Sequence, residues 1–304
     1  MSKAVIIGPG NMGLGIAATF LAFGHEVVVL GRDTQKIEAK FAEIRALAAG
    51  IRPGGETSGL SAGSLDRWDD WSDTALVIET ITEQLPLKTA LFAELDRRVP
   101  APIPIGSNSS GHGIDVMTAG LASADRMLNV HFSMPAHIVP MVEVALGSRT
   151  DPALAQRVCA LLEAIGKKTT LIRRYIPGLL ITRLQHALMR EALSLVDQDI
   201  VTPEDIDAAV RFGFGFRFAA LGPMAQKEMS GWDTHVASGR SVYPSLSNIS
   251  EPPTCVRDLV EAGRLGMNKG GGFRDWTPEQ VALFKRNYEA RLQAALQVLS
   301  VAPD

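Results

Sequence analysis

Cysteine is scarce: Cys159 and Cys255 are the only two in 304 residues. Two distant thiols make neither a disulfide framework nor a zinc site, and they suit a reducing, cytoplasmic compartment. Net charge is also slight, at −3. No basic surplus marks the chain for a nucleic acid or another polyanion. No apolar run reaches the roughly 18–20 residues that a membrane helix needs. The first residues lack signal-peptide organisation, because an apolar strand starts at once and runs into a glycine turn. Missing too are the G-x-S-x-G elbow of acyl-enzyme hydrolases and the H-E-x-x-H pattern of zinc peptidases. Acyl-enzyme and metal-hydrolase chemistry are set aside, and no metal site is expected. What remains, 46% hydrophobic and 21% charged, is ordinary globular composition at a length that allows two domains.

Against that background one stretch stands out, from Ala4 to Asp33. The apolar run Ala4-Val5-Ile6-Ile7 breaks at Gly8, and the pattern Gly8-x-Gly10-x-x-Gly13 follows. Helical apolar spacing then runs from Met12 to Phe23, ends at Gly24, and leads into the β-branched run Val27 to Leu30. Strand, glycine turn, helix and strand within about thirty residues form the context of a dinucleotide-binding turn. Gly8 serves the tight turn, Gly10 the approach of a pyrophosphate, and Gly13 the close packing of helix on strand. The free N–H groups of the helix start, around Asn11 and Met12, form an anion site.

The end of the second strand bears on the cofactor. NAD sites usually place an acid about 20 residues past the glycines, on the ribose 2′-OH. Here Gly31 holds that place and Arg32 follows. A missing carboxylate with a neighbouring guanidinium favours a 2′-phosphate, hence NADP, with NAD as the alternative. Asp33 keeps two readings open: it reaches the ribose, or it caps a helix spanning 34–49.

Further on, short apolar strands alternate with amphipathic helices. Strands are expected at 76–78, 102–106, 126–132, 141–145 and 168–172. Helices are expected at 85–98 and 152–165, the latter capped by Asp151 with Pro152 at its first position. The polar segment 52–73 reads as an irregular surface excursion. The alternation implies an α/β fold, a Rossmann-type mostly parallel sheet covered by helices. At Pro177-Gly178 the character changes, and no strong strand signal follows. Helices are expected at 179–197, 202–210, 224–229, 254–261 and 278–300, with the Phe/Gly-rich 211–223 as a packed loop. The expected division is a dinucleotide-binding domain, 1–176, and an all-α C-terminal domain, 177–304, that holds substrate and forms a homodimer.

Chemistry concentrates at a few residues. His131 ends an apolar strand, where ligands of open α/β sheets bind. Glu143, flanked by aliphatics twelve residues on, needs a partner if buried, and a histidine is a natural one. Together they read as a base and its orienting carboxylate, or as a structural histidine beside a surface glutamate. Ser107, Asn108, Ser109 and Ser110 form a polar cluster that bonds a substrate oxygen or satisfies its own turn. Glu79 and Glu83 follow a strand near the cofactor's path; Glu83 touches a ribose or caps a helix.

In order and spacing these residues resemble the 3-hydroxyacyl-CoA dehydrogenase family, whose relatives include gulonate, carnitine and pyridine-alcohol dehydrogenases. The resemblance covers most of the chain. It runs from the glycine turn through Val77-Ile78-Glu79, Ile81, Glu83 and Lys88 to Ser107 through Ser110. It continues in His131-Phe132 with Pro135, Val142-Glu143-Val144, Pro177-Gly178, Arg183-Leu184, Glu191-Ala192, Gly222-Pro223 and Gly266 through Gly272-Phe273. The resemblance implies an NAD(P)-dependent oxidoreductase of CH–OH groups. In that scheme His131 is general base, Glu143 its orienting partner, and Ser110 the hydroxyl on the substrate oxygen. Glu83, Lys88 and Asn108 fall at cofactor positions. Two family asparagines are replaced, by Met134 and Thr182, and the region after Asp33 lacks the dense lysines expected of a CoA clamp. These departures point to a small hydroxy acid or related secondary alcohol rather than a CoA thioester, with Arg217 a candidate for a substrate carboxylate. The other readings are turnover of 3-hydroxyacyl-CoA and a non-catalytic, crystallin-like nucleotide binder.

Overall fold

A computed structural model describes residues 2–55 and 57–300. The chain divides into two units, Met1–Arg183 and Leu184–Asp304. The first is built on an eight-stranded sheet. Its strands are β1 (Lys3–Ile7), β2 (Glu26–Gly31), β3 (Leu60–Ser64), β4 (Thr74–Glu79), β5 (Ile105–Ser107), β6 (Met127–Phe132), β7 (Met141–Leu146) and β8 (Lys168–Ile172). Their spatial order is β3-β2-β1-β4-β5-β6-β7-β8. Every neighbouring pair is parallel except β6 and β7.

Side chains of a strand alternate between faces, so a strand covered on both sides must be apolar at every position. β1 meets that demand: Ala4 and Ile6 face one core, Val5 and Ile7 the other. The first core is roofed by α1 (Asn11–Ala22), by α3 (Phe41–Ile51), which follows the short α2 (Thr34–Glu38), and by α6 (Pro152–Ala164). The second is roofed by α4 (Leu85–Arg98), through Leu91, Phe92 and Leu95, and by the single turn α5 (Ile114–Met117). Asp151 caps α6, accepting from the amides of Ala153 and Leu154.

The second unit is helical: α7 (Ile181–Asp197, reaching back into the first unit), α8 (Pro203–Ala208), α9 (Gly215–Ala220), α10 (Pro223–Ser230), α11 (Trp232–Val242), α12 (Thr254–Glu261) and α13 (Pro278–Leu299). Capping boxes open α8 at Thr202 and α13 at Thr277. Among the described residues no helix is long and apolar enough to cross a membrane.

Several elements depart from the sequence reading. Segment 52–73 holds β3, an edge strand paired with β2, whose sequence Leu-Ser-Ala-Gly-Ser offers a single large apolar side chain. An edge strand needs little apolar surface, so its pattern was faint. The expected helix 34–49 is two helices broken at Ala39-Lys40. Strand 102–106 begins only at Ile105, since Pro102 and Pro104 cannot donate to a ladder. Leu179 adopts φ +51°, so its helix starts at Ile181. Within segment 211–223 the residues up to Ala220 are helical, a π turn (Ala209–Phe214) running into α9, with Gly213 at the kink. α11 was not anticipated.

Candidate active site

The glycine turn follows β1. Gly8 has φ +111°, and its amide donates to the Leu30 carbonyl at 2.9 Å. A Cβ on Gly13 would stand 1.9 Å from the Gly8 carbonyl oxygen, so α1 rests directly on the turn. A Cβ on Gly10 would meet nothing within 4 Å. That open space lies at the start of α1, where no side chain caps the helix and no acid occupies the first turn. Asn11 and Met12 begin the helix there. The unsatisfied N–H groups and the helix dipole suit a pyrophosphate. Beside the turn is a cavity of about 490 Å³, lined by Gly8, Gly10, Gly31, Arg32 and the apolar Leu65 and Leu91. Its size, apolar wall and N–H rim fit the nucleotide half of a dinucleotide.

At the end of β2 a Cβ on Gly31 would come within 3.1 Å of Ile37 Cδ1 and 3.4 Å of Pro9 Cδ. A side chain there would press on the end of Ile37, and the acid usual at this place is absent. Asp33 is turned to α2, where it accepts from the Lys36 amide at 3.2 Å and pairs with the Lys36 ammonium at 3.3 Å. The Lys36 amide, then its ammonium, hold the Asp33 carboxyl below its usual pKa. Asp33 thus caps α2.

His131 and Glu143 face each other directly in the antiparallel register of β6 and β7. His131 Nδ1 lies 2.8 Å from Glu143 Oε2, and Glu143 is 0% exposed. The other carboxylate oxygen accepts from the amides of Leu180 at 2.7 Å and Ile181 at 2.9 Å, at the start of α7. Burial alone would raise the Glu143 carboxyl, but the bonds from His131 and the two amides outweigh it and hold the pKa below normal. An ionised carboxylate only accepts. Nδ1 therefore carries the ring proton, and Nε2 is left basic.

His131 lines a second cavity, of about 360 Å³, with Met12, Asn108, Ser110 and Met134. The structure sorts the polar cluster there. Ser107 donates to Glu79 at 2.6 Å, Ser109 donates to Glu83, and Asn108 Oδ1 accepts from the Phe132 amide at 2.8 Å. The Ser110 hydroxyl has no partner among the described residues and borders the cavity. Its carbonyl is held by the Tyr175 hydroxyl at 3.2 Å and the Gly178 amide at 3.3 Å.

Glu83 does not cap α4, whose N-cap is Gln84. It bonds Ser109 and the Gly111 amide and pairs with Lys88 at 3.2 Å. Its carboxyl, although raised by burial, is held low by Ser109 and Lys88. Lys88 borders the same cavity, but it is 1% exposed and bonds the buried Glu79 at 2.6 Å. Its ammonium already serves two carboxylates. Met134 is 64% exposed at the rim. Thr182 lies in the first turn of α7, next to the amides that hold Glu143. Arg217 lies on α9 in the second unit, with its side chain exposed.

Two neighbours escaped the sequence reading. Thr80 borders both cavities, and its hydroxyl bonds the carbonyls of Ile7 and Gly8 at 3.0 and 2.9 Å. Buried Asn129 accepts from the Ile114 amide and donates to the carbonyls of Ser109 and His112, fixing the loop that carries Ser110. An asparagine inside an apolar strand was the available signal for the second; the first has none.

Comparison with known proteins gives the family. The family model described as the NAD binding domain of 3-hydroxyacyl-CoA dehydrogenase matches residues 3–175, and that of its C-terminal domain matches residues 178–276. The 5-formyl-3-hydroxy-2-methylpyridine 4-carboxylate 5-dehydrogenase of Mesorhizobium japonicum is 31% identical over 299 residues, 97% of each chain. An L-carnitine dehydrogenase of Streptomyces griseus is 35% identical over 284 residues, 90% of this chain and 84% of that one. A solved structure of 5-formyl-3-hydroxy-2-methylpyridine 4-carboxylic acid 5-dehydrogenase, described as an NAD+-dependent dismutase, matches with TM-score 0.91 at 28% identity over 100% of both chains. Through both of its domains, this chain belongs to the 3-hydroxyacyl-CoA dehydrogenase family of nicotinamide-dependent oxidoreductases.

Proposed function

We propose that the protein interconverts a small 3-hydroxy acid or related secondary alcohol, not carried on CoA, and its carbonyl compound. The observation that carries this is the Glu143-oriented His131 beside the one free hydroxyl of the serine cluster, Ser110. Ser110 bonds the substrate oxygen. Nε2 of His131 takes the hydroxyl proton during oxidation and returns it during reduction, while Glu143 stabilises the imidazolium. A bound nicotinamide supplies the hydride acceptor.

Met134 supports a non-thioester substrate, presenting an adaptable apolar wall rather than an amide. Only two lysines, Lys36 and Lys40, lie between Asp33 and β4, too few for a dense cationic clamp. For the cofactor we favour NADP: glycine stands at position 31 in place of the usual acid, Asp33 caps α2, and Arg32 borders the nucleotide cavity. Glu83, Lys88, Asn108, Asn11 and Met12 complete the proposed cofactor contacts.

One assay tests both points. A panel of hydroxy acids and CoA thioesters is run with NAD and with NADP. Turnover is expected with a free hydroxy acid, and kcat/KM for NADP is expected to exceed that for NAD by about tenfold. Robust turnover of acetoacetyl-CoA at low micromolar KM would refute the substrate class. An NAD preference, as in the solved NAD+-dependent relative, would refute the cofactor choice.

The second unit also points to a partner. Among described residues 184–300 only Ala192, Gly239, Pro253 and Gly271 are buried, while Phe212 is 76% and Met229 77% exposed. Helices with so little core of their own fit a homodimer. Light scattering at micromolar concentration is expected to give twice the chain mass; a monomer would remove the dimer. The separate free thiols, Cys159 and Cys255, suit a reducing cytoplasm.

A further inference from the structure

The loop 133–140 joins β6 to β7 and brings Met134 to the cavity three residues beyond His131. On one side it packs against α1: a Cβ on Gly15 would lie 3.1 Å from the Ala136 Cβ. Its other anchor is a cation. Lys167, in the turn between α6 and β8, is 5% exposed. Its ammonium donates to the carbonyls of Ala136 at 2.6 Å and Val139 at 3.0 Å, and it stands 5.9 Å from the Phe132 ring centre. All three contacts lie between Phe132 and Val139.

A buried ammonium is costly without a counter-charge. The charged groups of the surrounding elements do not supply one. Glu163 of α6 accepts from Thr169; Lys168 opens β8; His137 belongs to the loop itself. His131 and Glu143, on β6 and β7, are paired with each other, and α1 carries no charged residue. Arg52 lies over the ring of Phe23, against which Gly166 packs. A methionine would fill the same space without the desolvation cost. The cation therefore makes sense as a clamp on two carbonyls that hold the loop in one path.

We propose that Lys167 is a positioning residue of the active site, its ammonium setting where Met134 and the end of β6 meet the substrate. The inference rests on the reading of His131 as the base. Burial lowers the Lys167 pKa from 10.5 to about 8. Between those values the unfolded chain binds more protons than the folded one, so this group adds stability as pH rises across the window. The clamp changes in the opposite direction, because losing the charge weakens both carbonyl bonds. Loop positioning and stability thus move apart above pH 8.

The test is a set of steady-state pH profiles for the native enzyme, Lys167→Arg and Lys167→Met, with the best hydroxy acid of the panel and a melting curve at each pH. In the native enzyme, substrate KM is expected to rise about tenfold through the alkaline range while Tm does not fall in step. Lys167→Arg, which stays charged, keeps the neutral-pH KM and loses the alkaline rise. Lys167→Met shows the raised KM already at neutral pH, with dinucleotide affinity unchanged. An alkaline rise that persists in Lys167→Arg overturns the proposal, as does a native KM in Lys167→Met. Should Lys167→Met fail to fold, the arginine profile decides. Failure of the base assignment would appear separately, as retained kcat in His131→Ala.

Discussion

Replacing His131 by alanine is expected to lower kcat by about 10³- to 10⁴-fold while dinucleotide affinity stays within a factor of about two. In the proposed reaction the ring takes the proton of the reacting hydroxyl, and the glycine turn assigned to the cofactor is formed by other residues. Its loss removes the proton acceptor and leaves the hydride acceptor in place. Glu143→Gln is the sharper companion. The side-chain carbonyl still accepts from Leu180 and Ile181, but the amide nitrogen now faces His131 Nδ1 and donates to it. That bond forces the ring proton onto Nε2, where it blocks base catalysis. Glu143→Gln should lose about 10²- to 10⁴-fold in kcat with little change in substrate KM. Stopped-flow measurement of hydride transfer checks both variants. A kcat within tenfold of native in His131→Ala sinks the assignment.

Alanine at Gly13 and alanine at Gly10 should separate fold from function within one turn. The Gly13 Cβ would overlap the Gly8 carbonyl oxygen at 1.9 Å and approach Thr80 Oγ1 at 2.9 Å. Neither a backbone carbonyl nor the packed α1 moves cheaply, so Gly13→Ala is expected to cost about 3 kcal/mol. For a domain of this size that is roughly 10 °C in Tm, with dinucleotide binding lost as the turn deforms. Gly10 differs. Its φ of −79° suits any residue, and its Cβ meets no protein atom. Gly10→Ala should melt like the native protein yet bind dinucleotide at least about tenfold more weakly, because the methyl stands where a phosphate must approach. Melting curves with a binding titration read both. A Gly10→Ala protein that binds normally would place the phosphate elsewhere.

Much of the site was legible because it depends on local spacing. The glycine pattern needs only its flanking strand and helix to be understood. Asp151 acts as the cap where its neighbours said it would. His131 and Glu143 were suggestive because an acid among aliphatics demands a partner. Spacing alone could not say that β6 and β7 run antiparallel, and that reversal sets the two side chains face to face.

Other features had no local signature. Strand β3 exists because β2 offers an open edge; a segment with one large apolar residue can pair there even though its own pattern is weak. Within the cluster Ser107 to Ser110, composition treats three hydroxyls alike. Only the positions of Glu79 and Glu83 decide that two are engaged and one is left for a ligand. Lys167 looked like one more basic residue beside Lys168 until burial separated them.

The sequence by itself determined the alternation of strand and helix, the nucleotide turn, the helical second half and the family. Those follow from side-chain periodicity and from glycine's freedom, both properties of neighbouring residues. Tertiary structure alone decided which serine is free, which way Asp33 turns, and that a buried lysine clamps the loop beside the base. Each of these depends on residues far apart in the chain competing for the same few hydrogen bonds and the same small volume.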